Sequence, residues 1–379
     1  MAGPSHAGSL VDLFSGCGGF SLGAELAGFR SLAAIDVDAT LQSAYCRNFP
    51  GSRAIQASVA DLGASDWVNL IGRHRPDGVI GGPPCQGFSW IGKRQKDDPR
   101  NSLLHHFYRQ VSLLRPKFFV MENVEGLLSD DNADMLQSAI DTVTSRYRVL
   151  EPMIVNAADY GAATTRRRVV VVGYDPNEMD RLTPETFAPP ALTRKATVRD
   201  AISDLPRPVA ERKDSFGWAR YPKLGTEELS EYASRLRTWA PEGLGCPEAN
   251  RLHRAGRVSG LNSTKHSPEI SSRYARVKGG QSDPISKSYR LEWDGQSPTL
   301  RAGTGSDKGA FQAVRPLHPG IGRVITVREA ARLQGFPDWF TFHHAKWHSF
   351  RMIGNSVSPI VSYGLLSRLA TRLQLALAA

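Results

Sequence analysis

The amino-terminal stretch constrains the fold most, because it combines an apolar run, a glycine-rich turn and a helical pattern. Residues 10–14 predict a strand, residues 15–19 the turn and residues 21–27 a helix. A second apolar run, residues 31–35, ends in Asp36. An acidic residue about 20 positions after such a turn is typical of the ribose acceptor in a nucleotide-binding β–α–β unit.

The glycine spacing favours a nucleoside cofactor without phosphates. Phe14, Gly16, Gly18 and Gly19 do not form the Gly-x-Gly-x-x-Gly pattern of dinucleotide sites, and no Lys-Ser/Thr pair follows for a triphosphate. Backbone N–H groups of such a turn can hold a ligand at a helix N-terminus. The pattern is compatible with S-adenosylmethionine, and a tight turn that binds nothing is the alternative.

Strands and helices continue to alternate through the first half of the chain. Further strands are predicted at residues 78–80, 118–121, 149–155 and 168–173, and helices at 102–114 and 133–145. This alternation predicts an α/β fold with a doubly wound, mostly parallel sheet. Ligands of such sheets bind beyond the carboxyl ends of the strands, where Gly16, Asp36, Cys85 and Glu122 are predicted to lie.

A rigid segment follows the strand at residues 78–80 and presents one thiol. Residues 81–89 read GGPPCQGFS. The glycines permit close approach of another group, and the prolines stiffen the backbone. Cys85 is therefore a candidate nucleophile, with a buried, inert cysteine in a structural turn as the alternative.

The composition changes after Tyr174. Residues 181–300 are rich in Pro, Ser, Gly and Arg, and residues 251–290 hold nine Lys or Arg against two acidic residues. The whole chain carries 47 basic and 37 acidic residues, a net charge of +10, which favours a polyanionic partner. The basic stretch at 251–290, with Tyr274 and Tyr289, is a candidate nucleic-acid surface; a solvated basic face is the alternative.

Two helices are predicted near the carboxyl end. Thr326 and Glu329 form a capping-box pattern before a helix at residues 330–334, and apolar spacing predicts a last helix at residues 359–375.

Several classes of protein are disfavoured. No apolar run approaches the roughly 20 residues of a membrane span, and residues 1–9 lack a secretory signal, so a cytoplasmic protein without a membrane partner is expected. The four cysteines show no disulfide or metal spacing, and His343, His344 and His348 lack a second ligand cluster, so no metal is predicted. Cys17 is predicted to belong to the turn and Cys46 to face a helix–sheet core.

Six stretches together resemble the cytosine carbon-5 DNA methyltransferases of bacterial type, and they occur in the same order. They are similar to the cofactor loop, the nucleophile motif, the base-binding motif, the arginine motif and the last two motifs of that family: residues 12–20, 82–86, 122–124, 160–168, 324–340 and 354–357. The resemblance covers about residues 10–175 and 290–365, and the variable middle of the family carries target recognition. It implies a catalytic and cofactor-binding domain at 1–180, a target-recognition domain at 181–320 and a segment at 321–379 that returns to the catalytic domain.

The resemblance also implies a mechanism. The Cys85 thiolate adds to carbon 6 of a cytosine flipped out of double-stranded DNA, and carbon 5 then takes the methyl group of S-adenosylmethionine. Glu122 shares or donates a proton at ring nitrogen 3. Arg168 contacts the exocyclic oxygen of the base, and Arg166 supports the site.

Further site residues are implied residue by residue. The cofactor is expected to contact Phe14, Ser15, Gly16, Gly18, Gly19, Asp36, Val37, Ser58, Pro83, Leu103, Asn355 and Val357. DNA is expected to contact Gln86, Ser89, Lys93, Arg94 and Arg100 in a mobile lid, and Arg273, Arg276 and Lys278 in the basic stretch.

The chain departs from the family pattern in four places. Residues 57–59 read Ala-Ser-Val instead of Gly-Asp-Ile, and Val37 stands where an aromatic residue often packs on adenine. Residues 163–164 read Ala-Thr instead of Pro-Gln, and Ser358 replaces a common proline. The first two departures favour a lower cofactor affinity.

The leading hypothesis is a monomeric, sequence-specific DNA methyltransferase, either part of a restriction–modification system or an orphan enzyme. A tRNA cytosine-5 methyltransferase and a non-catalytic DNA-binding regulator are the alternatives. A nicotinamide oxidoreductase is disfavoured by the glycine spacing.

Overall fold

The computed structural model describes residues 7–84, 102–223, 229–302 and 315–378. Its strands are β1 Gly8–Leu13, β2 Phe29–Asp36, β3 Arg53–Gln56, β4 Gly78–Gly81, β5 Phe118–Asn123, β6 Arg148–Val149, β7 Met153–Asn156, β8 Thr164–Thr165, β9 Arg167–Tyr174, β10 Ala219–Arg220, β11 Arg257–Val258 and β12 Ser297–Pro298. Its α-helices are α1 Gly19–Leu26, α2 Ala39–Asn48, α3 Ala64–Ile71, α4 Ser102–Leu114, α5 Asp130–Asp141, α6 Val198–Ile202, α7 Glu231–Leu236, α8 Pro247–Arg254, α9 Pro268–Arg276, α10 Val327–Gln334, α11 Lys346–Asn355 and α12 Pro359–Ala378.

The central sheet has the strand order β3-β2-β1-β4-β5-β9-β6, and β7 also pairs with β9. The first five strands of this order pair in parallel, whereas β9 runs antiparallel to β5, β6 and β7. The strand order reverses direction at β1, between β2 and β4, which opens a crevice beyond the carboxyl ends of these strands. The predicted α/β fold with a mostly parallel sheet is confirmed.

The sheet is covered on both faces, because alternate residues of each strand enter two different apolar cores. In β5, Phe118 and Val120 pack in one core and Phe119 and Met121 in the other. The first core contains side chains of α1, α2, α10, α11 and α12, and the second contains side chains of α3, α4 and α5. A sheet buried on both faces explains the near-continuous apolar runs of its strands.

Several elements differ from the sequence prediction. Helix α4 has the predicted bounds, but α2, α3 and α11 were not predicted. The strand expected at residues 149–155 is two short strands, β6 and β7, separated by a break that contains Pro152, a residue with no N–H for the ladder. The middle of the chain is not without regular structure, since it contains the short helices α6 to α9.

The capping box at the start of α10 is confirmed. The Thr326 hydroxyl accepts a hydrogen bond from the Glu329 backbone N–H at 3.3 Å, and the Thr326 N–H donates to the Glu329 carboxylate at 2.7 Å. Helix α10 is buried throughout, and its Arg332 donates to Asp338 at 2.6 Å and to Asp204 at 3.1 Å. This ionic contact joins α10 to the loop after α6.

The last helix, α12, packs against α1. Ser362 donates to the Phe20 carbonyl at 2.6 Å, and a Cβ at Gly23 would lie 2.4 Å from Ser362. The glycine at position 23 therefore permits the close approach that brings the carboxyl-terminal segment to the amino-terminal glycine turn. Within the described residues, no helix is both long and apolar enough to span a membrane.

Candidate active site

The glycine turn between β1 and α1 presents its backbone at the crevice. Phe14, Gly16 and Gly18 have positive φ angles of 61°, 56° and 93°, a conformation that glycine adopts without steric cost. A Cβ at Gly16 would meet nothing within 4 Å among the described residues, so the space beside it can hold a ligand. Ser15 adds a buried hydroxyl that has no hydrogen-bond partner among the described residues.

Gly19 is the first residue of α1, and its lack of a side chain has a different reason. A Cβ there would lie 1.9 Å from the Ser356 hydroxyl and 2.4 Å from the Val357 carbonyl. The residues after α11 therefore rest directly on the glycine turn, and Val357 is brought beside it.

Asp36 ends β2 and faces the same turn. One carboxylate oxygen accepts the Gly16 N–H at 2.8 Å, and the other accepts the Asp38 N–H at 2.8 Å. Burial raises the pKa of Asp36 above its usual value, while these two N–H groups act in the opposite direction. Each oxygen keeps a lone pair, so the carboxylate can accept hydrogen bonds from two neighbouring hydroxyl groups.

The remaining residues predicted to bind the cofactor lie in several different elements. Val37 is 63% exposed, and Ser58 follows β3, where its hydroxyl accepts the Ala60 N–H at 3.2 Å. Pro83 follows β4, and its carbonyl accepts from the Asn123 side chain at 3.2 Å. The other two lie in helices: Leu103, half-buried at the start of α4, and Asn355, exposed at the end of α11.

Asp12 is a buried acid that the sequence reasoning did not single out for a role. It lies in β1, and its carboxyl group accepts the Ser21 hydroxyl at 2.6 Å. Ser21 also lies 2.9 Å from the Tyr45 hydroxyl, so this short chain joins β1, α1 and α2 beneath the turn. Burial raises the pKa of Asp12 to about 7.

A second group of side chains lies at the end of β5. Arg168 Nε is 3.1 Å from Glu122 Oε1, because β9 runs next to β5. Glu122 is 8% exposed. Its Oε1 forms this ion pair but accepts no hydrogen bond from the described residues. The buried Arg166 donates to the Gly354 carbonyl at 3.0 Å.

These side chains line one cavity together with residues from the glycine-turn side. Its walls include Phe20, Glu122, Arg166, Arg168 and Val357. Phe20 lies in α1 and Val357 rests on the turn, so the lining of this cavity joins Glu122 to the glycine turn.

The segment that precedes the predicted nucleophile is described as far as Pro84. A Cβ at Gly82 would be 3.5 Å from Glu122 Oε2, so the start of the GGPPC segment is adjacent to the carboxylate. Cys85 follows Pro84 in the sequence and lies outside the described residues, as do Gln86, Ser89, Lys93, Arg94 and Arg100.

Two other cysteines are clearly placed. Cys17 is buried in the turn, and burial raises its pKa to about 12, so it remains a thiol at neutral pH. Cys46 is exposed, so the prediction that it faces a core was wrong; it lies on the outer side of α2. The described residues contain no cluster of three or more His, Cys, Asp or Glu side chains that could hold a metal ion.

The basic stretch is only partly a surface. Arg276 and Lys278 are exposed and have no ion-pair partner among the described residues, whereas Arg273 pairs with the buried Asp283 at 2.9 Å. Arg290 is buried and donates to the Tyr274 carbonyl at 2.8 Å. Arg290 and Tyr274, which belong to the stretch predicted to be a nucleic-acid surface, are therefore buried and do not contribute to an exposed face.

Comparison with known proteins gives consistent matches. The sequence model of the C-5 cytosine-specific DNA methylase family matches residues 8–370. The chain is 42% identical over 366 residues to the type II methyltransferase M.XorII of Xanthomonas oryzae pv. oryzae, covering 93% of this chain and 82% of that protein. It is 32% identical over 381 residues to the type II methyltransferase M.DdeI of Desulfomicrobium norvegicum, covering 96% and 88%.

Solved structures agree. An E. coli prophage protein assigned as a DNA modification methyltransferase superposes with a TM-score of 0.86 at 40% identity, covering 97% of this chain and 99% of that one. The Dnmt2 methyltransferase of S. pombe shares the fold, with a TM-score of 0.60 at 17% identity over 95% and 97% of the two chains. From the family match and these relatives, the chain belongs to the C-5 cytosine-specific DNA methylase family and is a DNA (cytosine-5-)-methyltransferase.

Proposed function

We propose that this enzyme flips a cytosine out of duplex DNA, binds it against Glu122 and methylates it with S-adenosylmethionine, using Cys85 as the nucleophile. The observation that carries this proposal is the buried Glu122, which is ion-paired with Arg168 and lines a cavity with Arg166 and Arg168. Its Oε1 accepts no hydrogen bond from the described residues, and a ligand that donates one would complete the contact. The ring of a cytosine offers groups that can do so.

The crevice at β1 and β2 fits the cofactor. Asp36 can accept the two ribose hydroxyls, the turn at Gly16 leaves open space, and the buried Ser15 hydroxyl is available as a further partner. Val357, resting on Gly19, closes the side of the turn nearest the Glu122 cavity. S-adenosylmethionine supplies an electrophilic methyl group on a sulfonium.

The chemistry of the base requires covalent activation. The Cys85 thiolate gives its electron pair to carbon 6, which makes carbon 5 nucleophilic enough to take the methyl group. Loss of the carbon-5 proton then restores the ring as the sulfur leaves. Glu122 exchanges a proton at ring nitrogen 3 and so limits the negative charge on the ring, while Arg168, which contacts Glu122, holds the exocyclic oxygen.

The target-recognition role belongs to residues 181–320 in this proposal, with the enzyme acting as a monomer. Arg276 and Lys278 are free to contact phosphates because they have no ion-pair partner among the described residues. Gln86, Ser89, Lys93, Arg94 and Arg100, which lie outside the described residues, are further proposed DNA contacts. The relatives named type II methyltransferases favour a partner restriction enzyme.

Transfer of tritium from labelled S-adenosylmethionine tests the proposal. Duplex DNA that contains many different sequences should become labelled, tRNA should not, and Cys85→Ala should abolish the label. Cys46→Ala, at an exposed position on α2, is the matched control and should retain activity. Labelling of tRNA alone would favour the tRNA enzyme, no labelling of either would favour a regulator, and undiminished labelling with Cys85→Ala would exclude this nucleophile.

A further inference from the structure

Arg351 joins the carboxyl-terminal segment to the loop that carries Asp36. It lies in α11, and its Nη2 is 2.6 Å from Asp38 Oδ2. The two side chains are 30% and 21% exposed, so the pair is partly shielded from water. The contact spans most of the chain in sequence and ends two residues from the proposed ribose acceptor.

Asp38 determines the local geometry after β2. Its carboxylate caps α2 by accepting the N–H groups of Thr40 at 2.9 Å and Leu41 at 3.1 Å. Its own N–H donates to Asp36 Oδ1 at 2.8 Å. A shift of Asp38 would therefore move the Asp36 carboxylate and the start of α2 together.

Helix α11 also contacts the glycine turn itself. The Met352 carbonyl accepts a hydrogen bond from the Cys17 thiol at 3.7 Å, a normal length for sulfur. Asn355, a residue predicted to bind the cofactor, lies four positions after Arg351 and thus on the same face of the helix. One helix face therefore carries Arg351 and Asn355 at the edge of the crevice.

The charges around Asp36 give Arg351 a second effect. The negative charge of Asp38 raises the pKa of Asp36, while the Arg351 guanidinium lowers it. Asp36 in turn raises the pKa of the neighbouring Asp12. These charges also shift the pKa of two neighbouring groups: Asp36 raises that of Cys17, and Arg351 lowers that of His348. Arg351 and the two backbone N–H groups thus lower the pKa of Asp36, whereas burial raises it.

We infer that Arg351 is a positioning residue for the cofactor: through Asp38 it holds the Asp36 carboxylate in place for the ribose hydroxyls of S-adenosylmethionine. This inference rests on the proposed cofactor site. Arg351 itself need not touch the cofactor, because its hydrogen-bonded partner already contacts Asp36.

Steady-state kinetics on the full chain test the inference. Arg351→Ala should raise KM for S-adenosylmethionine about 10-fold, leave KM for DNA unchanged and change kcat less than about 2-fold, because uniform binding is lost. Arg351→Lys keeps the cation and should restore most of the affinity. Asp38→Asn keeps a capping oxygen but removes the ion pair, so it should match Arg351→Ala, and the double variant should be no worse than either single one.

The pH dependence separates positioning from simple loss of stability. Without Arg351, Asp36 takes up a proton more readily, so the rise in KM for S-adenosylmethionine at acidic pH should begin at higher pH in Arg351→Ala than in the parent or in Arg351→Lys. The matched control is Arg75→Ala, which breaks the partly exposed ion pair with Glu178 before β4, outside the proposed target-recognition region, and should leave every constant unchanged.

The outcomes are distinguishable. An unchanged KM for S-adenosylmethionine in Arg351→Ala, or equal increases in KM for S-adenosylmethionine and for DNA that Arg351→Lys does not reverse, would overturn the inference while the proposed function stands. If the parent enzyme neither binds tritiated S-adenosylmethionine in equilibrium dialysis nor labels DNA, the proposed function fails and this inference fails with it.

Discussion

Glu122 shows at the scale of one residue how the fold prepares a site. Its carboxylate is buried at the end of β5, beside Arg168, with Oε1 accepting no hydrogen bond from the described residues. A bound ring with suitable donors would supply the hydrogen bond that Oε1 lacks beside its ion pair with Arg168. The site thus favours a base that can donate this hydrogen bond.

Replacing Glu122 by glutamine tests its acid–base role. The amide keeps the size of the side chain but cannot exchange a proton, so kcat should fall by about 100-fold or more. Binding of S-adenosylmethionine should be unchanged. Glu125→Gln is the matched control, since Glu125 pairs with Arg167 at 2.8 Å in an exposed position, and it should retain kcat. An active Glu122→Gln enzyme, measured by tritium transfer, would contradict the proposed role.

His318 makes stability depend on pH in a defined window. Burial lowers its pKa from 6.5 to about 4, against the attraction of Glu329, whose carboxylate lies 3.7 Å away. The unfolded chain therefore binds the proton first as the pH falls. The histidine stabilises the fold above pH 6.5, and this contribution, at most about 3 kcal/mol, is lost between pH 6.5 and 4.

Urea unfolding of the parent and of His318→Gln across that window measures the effect. The parent should lose more free energy of unfolding than the variant as the pH falls from 6.5 to 4. His343, whose pKa burial also lowers to about 4, acts in the same direction in both proteins and cancels in the comparison. Parallel stability curves for the two proteins would show that His318 titrates normally in the fold.

At the scale of elements, close packing of α1 against α12 positions the glycine turn. A Cβ at Gly23 would lie 2.4 Å from the Ser362 side chain and 2.4 Å from the Tyr363 backbone nitrogen. Gly23→Ala should therefore lower the free energy of unfolding by about 1–3 kcal/mol and raise KM for S-adenosylmethionine. Gly51→Ala is the control, since its Cβ would meet no described residue within 4 Å, and denaturant melts should show a change within about 0.5 kcal/mol.

The elements also show which features periodicity reveals. Helix α4 was predicted at its observed bounds because its buried residues, Leu104, Phe107, Tyr108, Val111 and Leu114, recur at helical spacing. Helix α2 escaped prediction because two of its buried positions are amides. Gln42 donates to the carbonyls of Ala34 at 3.1 Å and Ile55 at 2.9 Å, and these contacts are not readable from an apolar pattern.

The candidate site likewise combines contacts that the sequence predicts with contacts that it does not. Strand ends could be placed from the sequence, so Gly16 and Asp36 were expected near one another, and they are hydrogen-bonded. The contact between Arg168 and Glu122 depends on β9 running antiparallel beside β5, which no local pattern encodes. The burial of Arg332 was likewise not predicted. Arginine is rarely buried without an acidic partner, and its pairing with Asp338 depends on the tertiary structure.

Across the whole molecule, the net charge of +10 favours association with nucleic acid. Arg276 and Lys278 are exposed in the middle region and lack ion-pair partners among the described residues. Replacing both by glutamine should weaken binding to all duplex sequences alike and reduce the slope of log K against log salt by about 2, one per lost phosphate contact.

Fluorescence anisotropy over a range of salt concentrations measures that slope. Arg30→Gln with Arg73→Gln removes the same charge from exposed positions at the amino ends of β2 and β4, the opposite edge of the sheet from the crevice. This control should keep the parent slope. Equal slopes for both double variants would show that net charge alone, rather than this surface, binds DNA.

Trapping on DNA that contains 5-fluorocytosine is the most direct test of covalent catalysis by Cys85. Fluorine replaces the proton that must leave carbon 5, so the sulfur–carbon 6 bond should persist after methyl transfer. Random-sequence duplexes made with the fluorinated base should form a stable complex only with S-adenosylmethionine present, and mass spectrometry should find the base on the peptide that contains Cys85. Methylation of ordinary DNA without such a complex, or a base linked to Cys46, would contradict this mechanism.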